Sequence, residues 1–206
     1  MLSRDIITRA TLDLLEDVGY ERFTMAGLAR SLKVAPSALY NHVTSKRDVL
    51  LWVQDHLMAL VDASAFGRLP WDEALRAWAW SYRDVFALHA PLIPVIAVMH
   101  VGDAPDTLRM YEDVARGLVD AGWAEDRVVP TIVAFESFIY GSALDVSAPE
   151  DIFDSGSLAR EFPIFTSAVR NSRTRNAGSQ VDDAFDTGLS AMIVGMREYL
   201  RSAHSD

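Results

Sequence analysis

A short segment near the N-terminus concentrates side chains that could recognise a nucleic acid. The sequence SLKVAPSALYNHVTSKRDVL, residues 31–50, contains both lysines of the chain, Lys33 and Lys46, and the consecutive residues Tyr40, Asn41 and His42. An asparagine amide can read adenine through paired hydrogen bonds, whereas a tyrosine hydroxyl, a histidine ring or a lysine more often contacts phosphate. The segment therefore favours a DNA-binding surface. The alternative is a solvated helical hairpin in which Tyr40 is an ordinary core residue.

Capping signals predict the helices that position this segment. Ser3 is a candidate N-cap for a first helix that stops at Gly19, and Thr24 can cap a second helix. Pro36 suits the first turn of a short third helix that ends near residue 42, because its missing N–H is not needed there. Ser45 begins a Ser-x-x-Asp capping box, which opens a fourth helix running to about residue 64. Two short helices joined by a tight turn and braced by a longer helix form a helix-turn-helix unit.

Charge separates this head from the rest of the chain. Residues 1–50 hold seven Lys/Arg against six acids (+1), and the remainder holds 12 against 23 (−11), which sums to the formal charge of −10. A near-neutral head on an acidic body is expected if only the head approaches a polyanion. The absence of cysteine excludes disulfides and thiolate metal sites, which fits a reducing cytoplasm. The longest charge-free apolar run, residues 89–102, is shorter than the ~20 residues of a membrane span, so we expect a soluble protein with no membrane partner.

The remaining chain is helical by pattern, which predicts an all-α protein without strands or repeats. Apolar periodicity indicates helices over residues 71–89, 91–101, 105–121, 125–145 and 181–202. The helix at 125–145 is apolar on nearly every side, which predicts that it is buried on nearly every side. Residues 147–180 read as a partly mobile connection, in which only EFPIFTSAVR could form a turn or two of helix. We expect two domains, 1–48 and 49–206.

The head resembles the N-terminal domain of TetR-family transcriptional repressors. The resemblance covers about residues 3–51 and rests on LEDVGYERFTMAGLARSLKVAPSALYNHVTSKRDVL, with its Gly-Tyr pair, the FT that opens the second helix, and the spaced V, LY, H and K. Lys33 departs from the family pattern, because a turn glycine is usual there and a left-handed backbone costs another residue roughly 1 kcal/mol. The DNA contacts that the resemblance implies are Thr24, Met25, Ala35, Pro36, Ser37, Ala38, Tyr40, Asn41, His42 and Lys46.

The body resembles the family's helical regulatory domain more weakly. The resemblance implies a small-molecule effector, and polar residues among apolar ones make an internal pocket the expected site, although an aromatic stripe at helical spacing is more often core. Glu136 could anchor a polar or cationic ligand group or face a dimer partner. His89 and His100 could ligate a metal, but a bond to a backbone carbonyl or helix end is favoured, and we predict neither metal nor cofactor. The candidate ligand-binding residues are Trp78, Tyr82, Phe86, His89, Met99, His100, Tyr111, Phe135, Glu136 and Ile139.

The C-terminal helix carries a candidate dimer interface. FDTGLSAMIVGM, residues 185–196, is similar to the final helix of tetracycline-repressor-like members, in which the last two long helices of each subunit form a four-helix bundle. Small residues at Gly188, Ala191 and Gly195 permit close helix approach, and apolar residues flank them. The predicted interface consists of Ile132, Phe185, Gly188, Leu189, Met192, Gly195 and Met196.

Three functions remain open at this point. The leading hypothesis is a ligand-responsive repressor, a homodimer that binds a palindromic double-stranded operator and is released by a small-molecule effector. The second is an enzyme, which is disfavoured because the sequence has no Gly-rich phosphate loop, no Gly-x-Ser-x-Gly, no His-Glu-x-x-His and no thiol. The third is a DNA-binding regulator without a small-molecule effector, controlled by a protein partner.

Overall fold

The fold is all-helical throughout the part of the chain that the structure describes. A computed structural model describes residues 2–175 and 180–203, and in these ranges it contains ten α-helices and no strand. The chain divides into two compact units, Met1–Tyr140 and Gly141–Asp206. The predicted domain boundary at residue 48 lies inside the first unit and stays a prediction.

The first unit begins with the three helices and the turn that the capping signals predict. Helix α1 spans Arg4–Val18 and is capped by the Ser3 side chain, which accepts from Ile6 N–H. Helix α2 spans Met25–Ser31 and helix α3 spans Pro36–Tyr40, so α3 ends two residues earlier than predicted. Lys33, in the turn between them, has a φ of 56°, which is the left-handed conformation expected of a turn glycine.

Helix α4, Lys46–Met58, leads from the head into the body. The Ser45 side chain caps it by accepting from Asp48 N–H, as the Ser-x-x-Asp pattern predicts. The helix ends at Met58 rather than near residue 64. Turns closed by backbone hydrogen bonds follow it over residues 60–69. Its buried side chains include the polar residues Gln54 and Asp55, which lie among apolar neighbours.

Four further helices follow, of which the last, α8, begins in the first unit and continues past its end at Tyr140. Helix α5 spans Trp71–Leu88, α6 spans Ile93–Ile96, α7 spans Pro105–Asp120 and α8 spans Glu125–Asp145. The predicted helix at 91–101 is reduced to a 3-10 turn, Ala90–Leu92, followed by the single turn of α6. Two prolines, Pro91 and Pro94, cannot donate backbone hydrogen bonds, which limits regular helix in this stretch.

Helix α8 is partly exposed within the protomer, and its burial on nearly every side in an assembly stays a prediction. Val129 and Val133 are 65% and 52% exposed, so this helix is not buried on nearly every side within the protomer. Of the described helices, α8 is the one whose length and apolar composition would allow it to cross a membrane, and 39% of the relevant window is buried. Partial burial of this kind is also found in a helix that packs in a core on one side and is free to meet a partner on the other.

The second unit contains two helices. Helix α9 spans Pro163–Arg175 and α10 spans Gln180–Ala203. The prediction of a turn or two of helix at EFPIFTSAVR is too short, because α9 continues through the basic cluster. Phe153 and Phe165 stack edge to face with ring centroids 6.3 Å apart, so the connection before α9 has packing of its own. Part of the predicted mobile connection, residues 176–179, lies outside the described residues.

Candidate nucleic-acid interface and buried effector cluster

The helix-turn-helix presents its polar residues to solvent. In α3, Leu39 is fully buried, whereas Tyr40 is 50% exposed, which excludes the interpretation of Tyr40 as a core residue. Asn41 and His42, directly after the helix, are also exposed. Met25, Ala38 and Lys46 are half-buried and the other predicted DNA-contacting side chains are exposed, so all ten have accessible surface.

Lys46 has a structural role that the sequence analysis did not anticipate. Its ammonium group donates to the carbonyl oxygens of Tyr20 and Phe23 at 3.2 and 3.1 Å and lies 4.2 Å from the centre of the Tyr20 ring. These contacts fasten the start of α4 to the connection between α1 and α2. An ammonium has three donors, so one remains for a phosphate.

Asp55 in α4 joins three helices at one buried carboxylate. Its Oδ2 accepts from Arg4 of α1 at 2.7 Å. Its Oδ1 accepts from the backbone N–H of Asp106 at 2.9 Å and from that of Thr107 at 3.0 Å, both in the first turn of α7. The Asp55 side chain is 2% exposed, whereas Arg4 is 46% exposed. A buried carboxylate needs partners of this kind, and we call this group the Asp55 junction.

Sequence reasoning missed Asp55, although one signal was present. The N-cap position of α7 is Ala104, whose side chain cannot accept a hydrogen bond from the helix. The first backbone N–H groups of a helix still need acceptors. A poor N-cap before a proline-initiated helix therefore predicts an acceptor from elsewhere in the chain, and only the tertiary fold identifies it as Asp55.

Glu136 in α8 is the centre of a second buried polar group. The Tyr82 hydroxyl from α5 donates to Glu136 Oε1 at 2.9 Å, and the Tyr111 hydroxyl from α7 donates to the same oxygen at 2.5 Å. The hydroxyls of Tyr82 and Tyr140 share a further hydrogen bond of 2.7 Å. We call these four residues the Tyr–Glu cluster. Its hydrogen bonds turn Glu136 towards the inside of the first unit.

Burial dominates the electrostatics of the Tyr–Glu cluster. Desolvation raises the pKa of Glu136 above its ordinary value, although the hydrogen bonds from Tyr111 and Tyr82 oppose that rise. Desolvation also raises the pKa values of Tyr82, Tyr111 and Tyr140, so these phenols stay protonated well above neutral pH. In the part of the chain that is described, no Lys, Arg or His forms an ion pair with Glu136.

Aromatic rings pack around Tyr82, one of the two donors to this carboxylate. Tyr82 lies 5.4 Å from Trp78, 5.0 Å from Phe86 and 5.5 Å from Tyr140, measured between ring centroids. The indole N–H of Trp78 donates to the sulfur of Met110 at 3.3 Å. Tight packing gives several predicted ligand-binding residues no exposed surface in this conformation; they are Trp78, Tyr82, Phe86, Phe135 and Ile139.

Three predicted ligand-binding residues lie in other contacts. Met99 and His100 line a surface cleft of about 430 Å³ together with Leu51 of α4. His89, at the end of α5, has Nδ1 at 3.1 Å from Glu16 Oε1 of α1, without hydrogen-bonding geometry. In the described ranges no group of three or more His, Asp or Glu side chains is arranged to hold a metal ion.

Comparison with known proteins gives the family of the chain. The profile described as "Bacterial regulatory proteins, tetR family" matches residues 7–53, and the profile "Tetracyclin repressor-like, C-terminal domain" matches residues 66–200. The chain belongs to the TetR family of bacterial regulatory proteins. The resemblance of the head and the weaker resemblance of the body are both confirmed. The protein is therefore a transcriptional regulator with a DNA-binding helix-turn-helix.

Similar proteins cover nearly the whole TetR-family chain. The tetracycline repressor protein class C of Escherichia coli is 30% identical over 100% of this chain and 94% of its own length. TetR from Acinetobacter baumannii AYE has a TM-score of 0.69 at 25% identity, covering 97% of this chain and 99% of that one. Apo ActR from Streptomyces coelicolor has a TM-score of 0.78 at 22% identity over 98% of both chains, which shows the fold alone.

The predicted dimer residues of this TetR-family protein divide into two groups. Ile132, Phe185 and Leu189 are buried within the protomer, so their side chains have almost no surface left for a second subunit. The prediction placed them on an interface because apolar periodicity does not distinguish a core-facing side from a partner-facing side. Gly195 is exposed, whereas Gly188, Met192 and Met196 are half-buried.

Proposed function

We propose that this protein is a ligand-responsive repressor that binds a palindromic operator as a homodimer and is released by a small-molecule effector. The observation that carries the proposal is a continuous set of contacts within the first unit. It runs from the connection between α1 and α2, which Lys46 of α4 contacts, through the Asp55 junction and α7 to the Tyr–Glu cluster in the body. A DNA-reading surface connected to a buried polar group is the arrangement that effector control requires.

Relatives support an effector. Solved structures similar to this chain include ActR from Streptomyces coelicolor in complex with actinorhodin and a variant of TetR from Acinetobacter baumannii AYE in complex with minocycline. Two proteins similar to this chain therefore have solved structures with a small molecule bound. We expect binding without turnover, in the cytoplasm, and without a cofactor.

The exposed apolar residues of two helices support a homodimer. In α8 these are Val129 and Val133, and in α10 they are Val194 and the neighbouring Gly195. Two-fold assembly would give two recognition helices for the two halves of a palindrome. Val129, Val133 and Val194 replace the buried members of the predicted interface in this proposal.

The first two turns of α7 supply the connection between effector and head. Thr107 is held by the Asp55 junction, and Tyr111, four residues later, donates to Glu136. A ligand that displaces Tyr111 or pulls Glu136 would move the turn whose N-terminus Asp55 caps. Asp55 lies on α4, whose other end is fastened to the head by Lys46. A coupling of roughly 1–3 kcal/mol would change operator affinity about 5- to 150-fold.

Selection of binding sites from random duplex DNA tests the DNA half of the proposal. The purified full-length protein should enrich a palindrome, and the affinity should fall steeply between two salt concentrations because several phosphates are contacted. Asn41→Ala should weaken binding by about 1–3 kcal/mol and relax sequence preference at one position, while its circular dichroism spectrum stays unchanged. Failure to enrich any sequence would overturn operator recognition.

A regulator controlled by a protein partner remains the second candidate. It is favoured by the close packing around Trp78, Phe86 and Phe135, which are fully buried in this conformation. The two candidates differ in one measurement, the release of the selected operator by compounds in a small-molecule library. If no compound of any charge class releases the operator, the partner-controlled candidate is favoured.

A further inference from the structure

The hydrogen bonding of Glu136 leaves part of its carboxylate available. Both phenolic donors, Tyr82 and Tyr111, use the same oxygen, Oε1. Among the described residues, no hydrogen bond is made to Oε2. A carboxylate can accept about four hydrogen bonds, so the group retains acceptor capacity that the protein does not use.

The charge of this carboxylate is also uncompensated. Both of its donors are neutral phenols, and no described basic side chain forms an ion pair with it. Taking a carboxylate out of water is costly unless it is paired with a positive charge. A bound cation would supply this charge, whereas a bound anion would meet repulsion at close range.

Tyr82, a donor to the carboxylate, belongs to a group of three aromatic rings of the kind that attracts a cation. Tyr82, Phe86 and Tyr140 are mutual neighbours, with ring centroids 5.0–5.5 Å apart. The faces of aromatic rings attract a positive charge, and this attraction is largest where water is excluded. Of these three rings, Tyr140 has accessible surface that the uncharged part of a ligand could contact.

One side of the Tyr–Glu cluster is accessible. Tyr82 and Phe86 have no exposed surface, but Glu136, Tyr111 and Tyr140 are each only half-buried. These three residues are therefore the side from which a ligand would approach. The carboxylate and two phenols would be the first polar groups that the ligand meets.

We propose that the effector belongs to the class of lipophilic amines, bound with the protonated nitrogen on Glu136 and the apolar part against the rings of Tyr111 and Tyr140. The ammonium N–H groups donate to Oε2, which is the unused acceptor. This inference rests on the proposed function, since it names the chemical class of the effector.

Calorimetric binding of matched probes to the full-length protein tests the inference without DNA. The probes are 4-phenylbutylamine, its neutral analogue 4-phenylbutanol and its anionic analogue 4-phenylbutanoate, with naphthyl and anthracenyl versions of each. Near neutral pH the amines should bind at least about tenfold more tightly than the alcohols, which is the difference expected for a desolvated charge on a carboxylate and aromatic rings. The anions should bind most weakly.

Two variants distinguish the effect of the Glu136 carboxylate on amine affinity from the effect of the net negative charge of the protein. Glu136→Gln keeps the size and an acceptor oxygen for both tyrosines but removes the charge, and it should reduce amine affinity at least about tenfold without changing alcohol affinity. Asp113→Asn removes one negative charge from an exposed position on α7, and it should leave amine affinity unchanged. If Glu136→Gln does not fold, the preference of the wild-type protein among the three probes still decides the outcome.

Three results would overturn the inference. They are an alcohol or anion that binds as tightly as the matching amine, a folded Glu136→Gln variant that binds the amine as the wild type does, and no binding by any amine in the series. Operator release is measured separately. Amine binding without release of the operator would keep this site and contradict the release mechanism. Release by an anion or a neutral compound alone would keep the release mechanism and contradict the amine site.

Discussion

Two carboxylates in the first unit, the buried Asp55 and the half-buried Glu136, are held by different kinds of partner. Asp55 accepts from the guanidinium of Arg4 and from two backbone N–H groups at the start of α7. Glu136 accepts from two neutral phenols, both on one oxygen. The first carboxylate has a cation and a helix N-terminus to stabilise its charge, whereas the second has neither among the residues that the structure describes.

The difference indicates which of the two positions is structural and which is open to a ligand. A carboxylate whose two oxygens are both bonded and whose charge is compensated holds helices together. A carboxylate with an unused oxygen and no cation has an unmet electrostatic requirement that a ligand can satisfy. Tyr111 and Thr107 lie one turn apart on α7, so the two groups share a helix and can influence each other.

Removal of the Asp55 side chain should have the largest effect on stability. Asp55→Ala leaves the N–H groups of Asp106 and Thr107 without an acceptor in a region that is at least partly buried. We expect a loss of about 2–4 kcal/mol in the free energy of unfolding. Urea denaturation followed by circular dichroism at fixed protein concentration measures it.

Asp55→Asn is the matched control for that variant. It keeps one oxygen acceptor for α7 and removes the charge that pairs with Arg4, so its loss should be clearly smaller. If Asp55→Ala and Asp55→Asn lower the free energy of unfolding equally, the Asp55 junction does not hold α7. The same conclusion follows if Asp55→Ala lowers it by less than about 1 kcal/mol.

Loss of one phenol donor should have the next largest effect. Tyr111→Phe removes a hydrogen bond that lowers the pKa of Glu136, so that pKa should rise further, and unfolding should become easier by about 1–2 kcal/mol. The pKa of Glu136 can be followed by NMR of the carboxyl carbon. Tyr140→Phe is the control, because Tyr140 bonds Tyr82 rather than Glu136. Equal shifts in the two variants would contradict the hydrogen-bond geometry.

Glu136→Gln should have a smaller effect that depends on pH. Burial raises the pKa of Glu136 above 4.5 in the folded protein, so the folded state binds this proton more tightly than the unfolded state. The contribution of the protonated Glu136 side chain to stability is therefore present below about pH 4.5, and it is lost as pH rises through the raised pKa of Glu136. Tyr82 of α5, Tyr111 of α7 and Tyr140 of α8 face Glu136 and stay protonated in this range, since their pKa values are raised.

Urea denaturation of wild type and Glu136→Gln over a series of pH values isolates this contribution. The stability difference should move in favour of the variant from acid to neutral pH, and at neutral pH the variant should be as stable as the wild type or slightly more stable. A difference that is independent of pH, or one that moves towards the wild type, would show that Glu136 is compensated by a charge in the same way as Asp55.

Arg4→Met should have the smallest effect. Half of the Arg4 side chain is in solvent, so the ion pair with Asp55 is screened on one side and should contribute about 1 kcal/mol or less. Arg9→Met is the control, because Arg9 pairs with Asp5 and both side chains are largely exposed. An Arg4→Met loss as large as that of Asp55→Ala would mean that the guanidinium, rather than the acceptor for α7, is the main partner of Asp55.

Local sequence signals predicted much of the head. The caps at Ser3, Thr24 and Ser45 and the unusual backbone of Lys33 depend on interactions within a few residues, and the structure confirms them. In α3 the apolar Leu39 is buried, and the adjacent Tyr40 therefore lies on another side of the helix, where it is exposed. Such features are readable because both partners of each interaction are close in sequence.

The body was predicted less well, because its interactions join distant parts of the chain. The sequence left Glu136 with two possible roles, and the tertiary structure turns it towards Tyr82 and Tyr111, which are 54 and 25 residues away. Phe185 and Leu189 were assigned to a dimer surface but are buried in the protomer. An apolar stripe along a helix predicts which side of the helix is buried. It does not predict whether that side is covered by the same protomer or by a second subunit.

The sequence by itself determined the helical composition, the head and the family, since periodicity, capping residues and short motifs are local properties of the chain. Only the tertiary structure decided that Asp55 caps a helix beginning 50 residues later and that Glu136 meets two phenols and, within the described ranges, no cation. The physical reason is that burial and charge compensation depend on which helices pack together. Packing is a property of the whole fold rather than of any one segment.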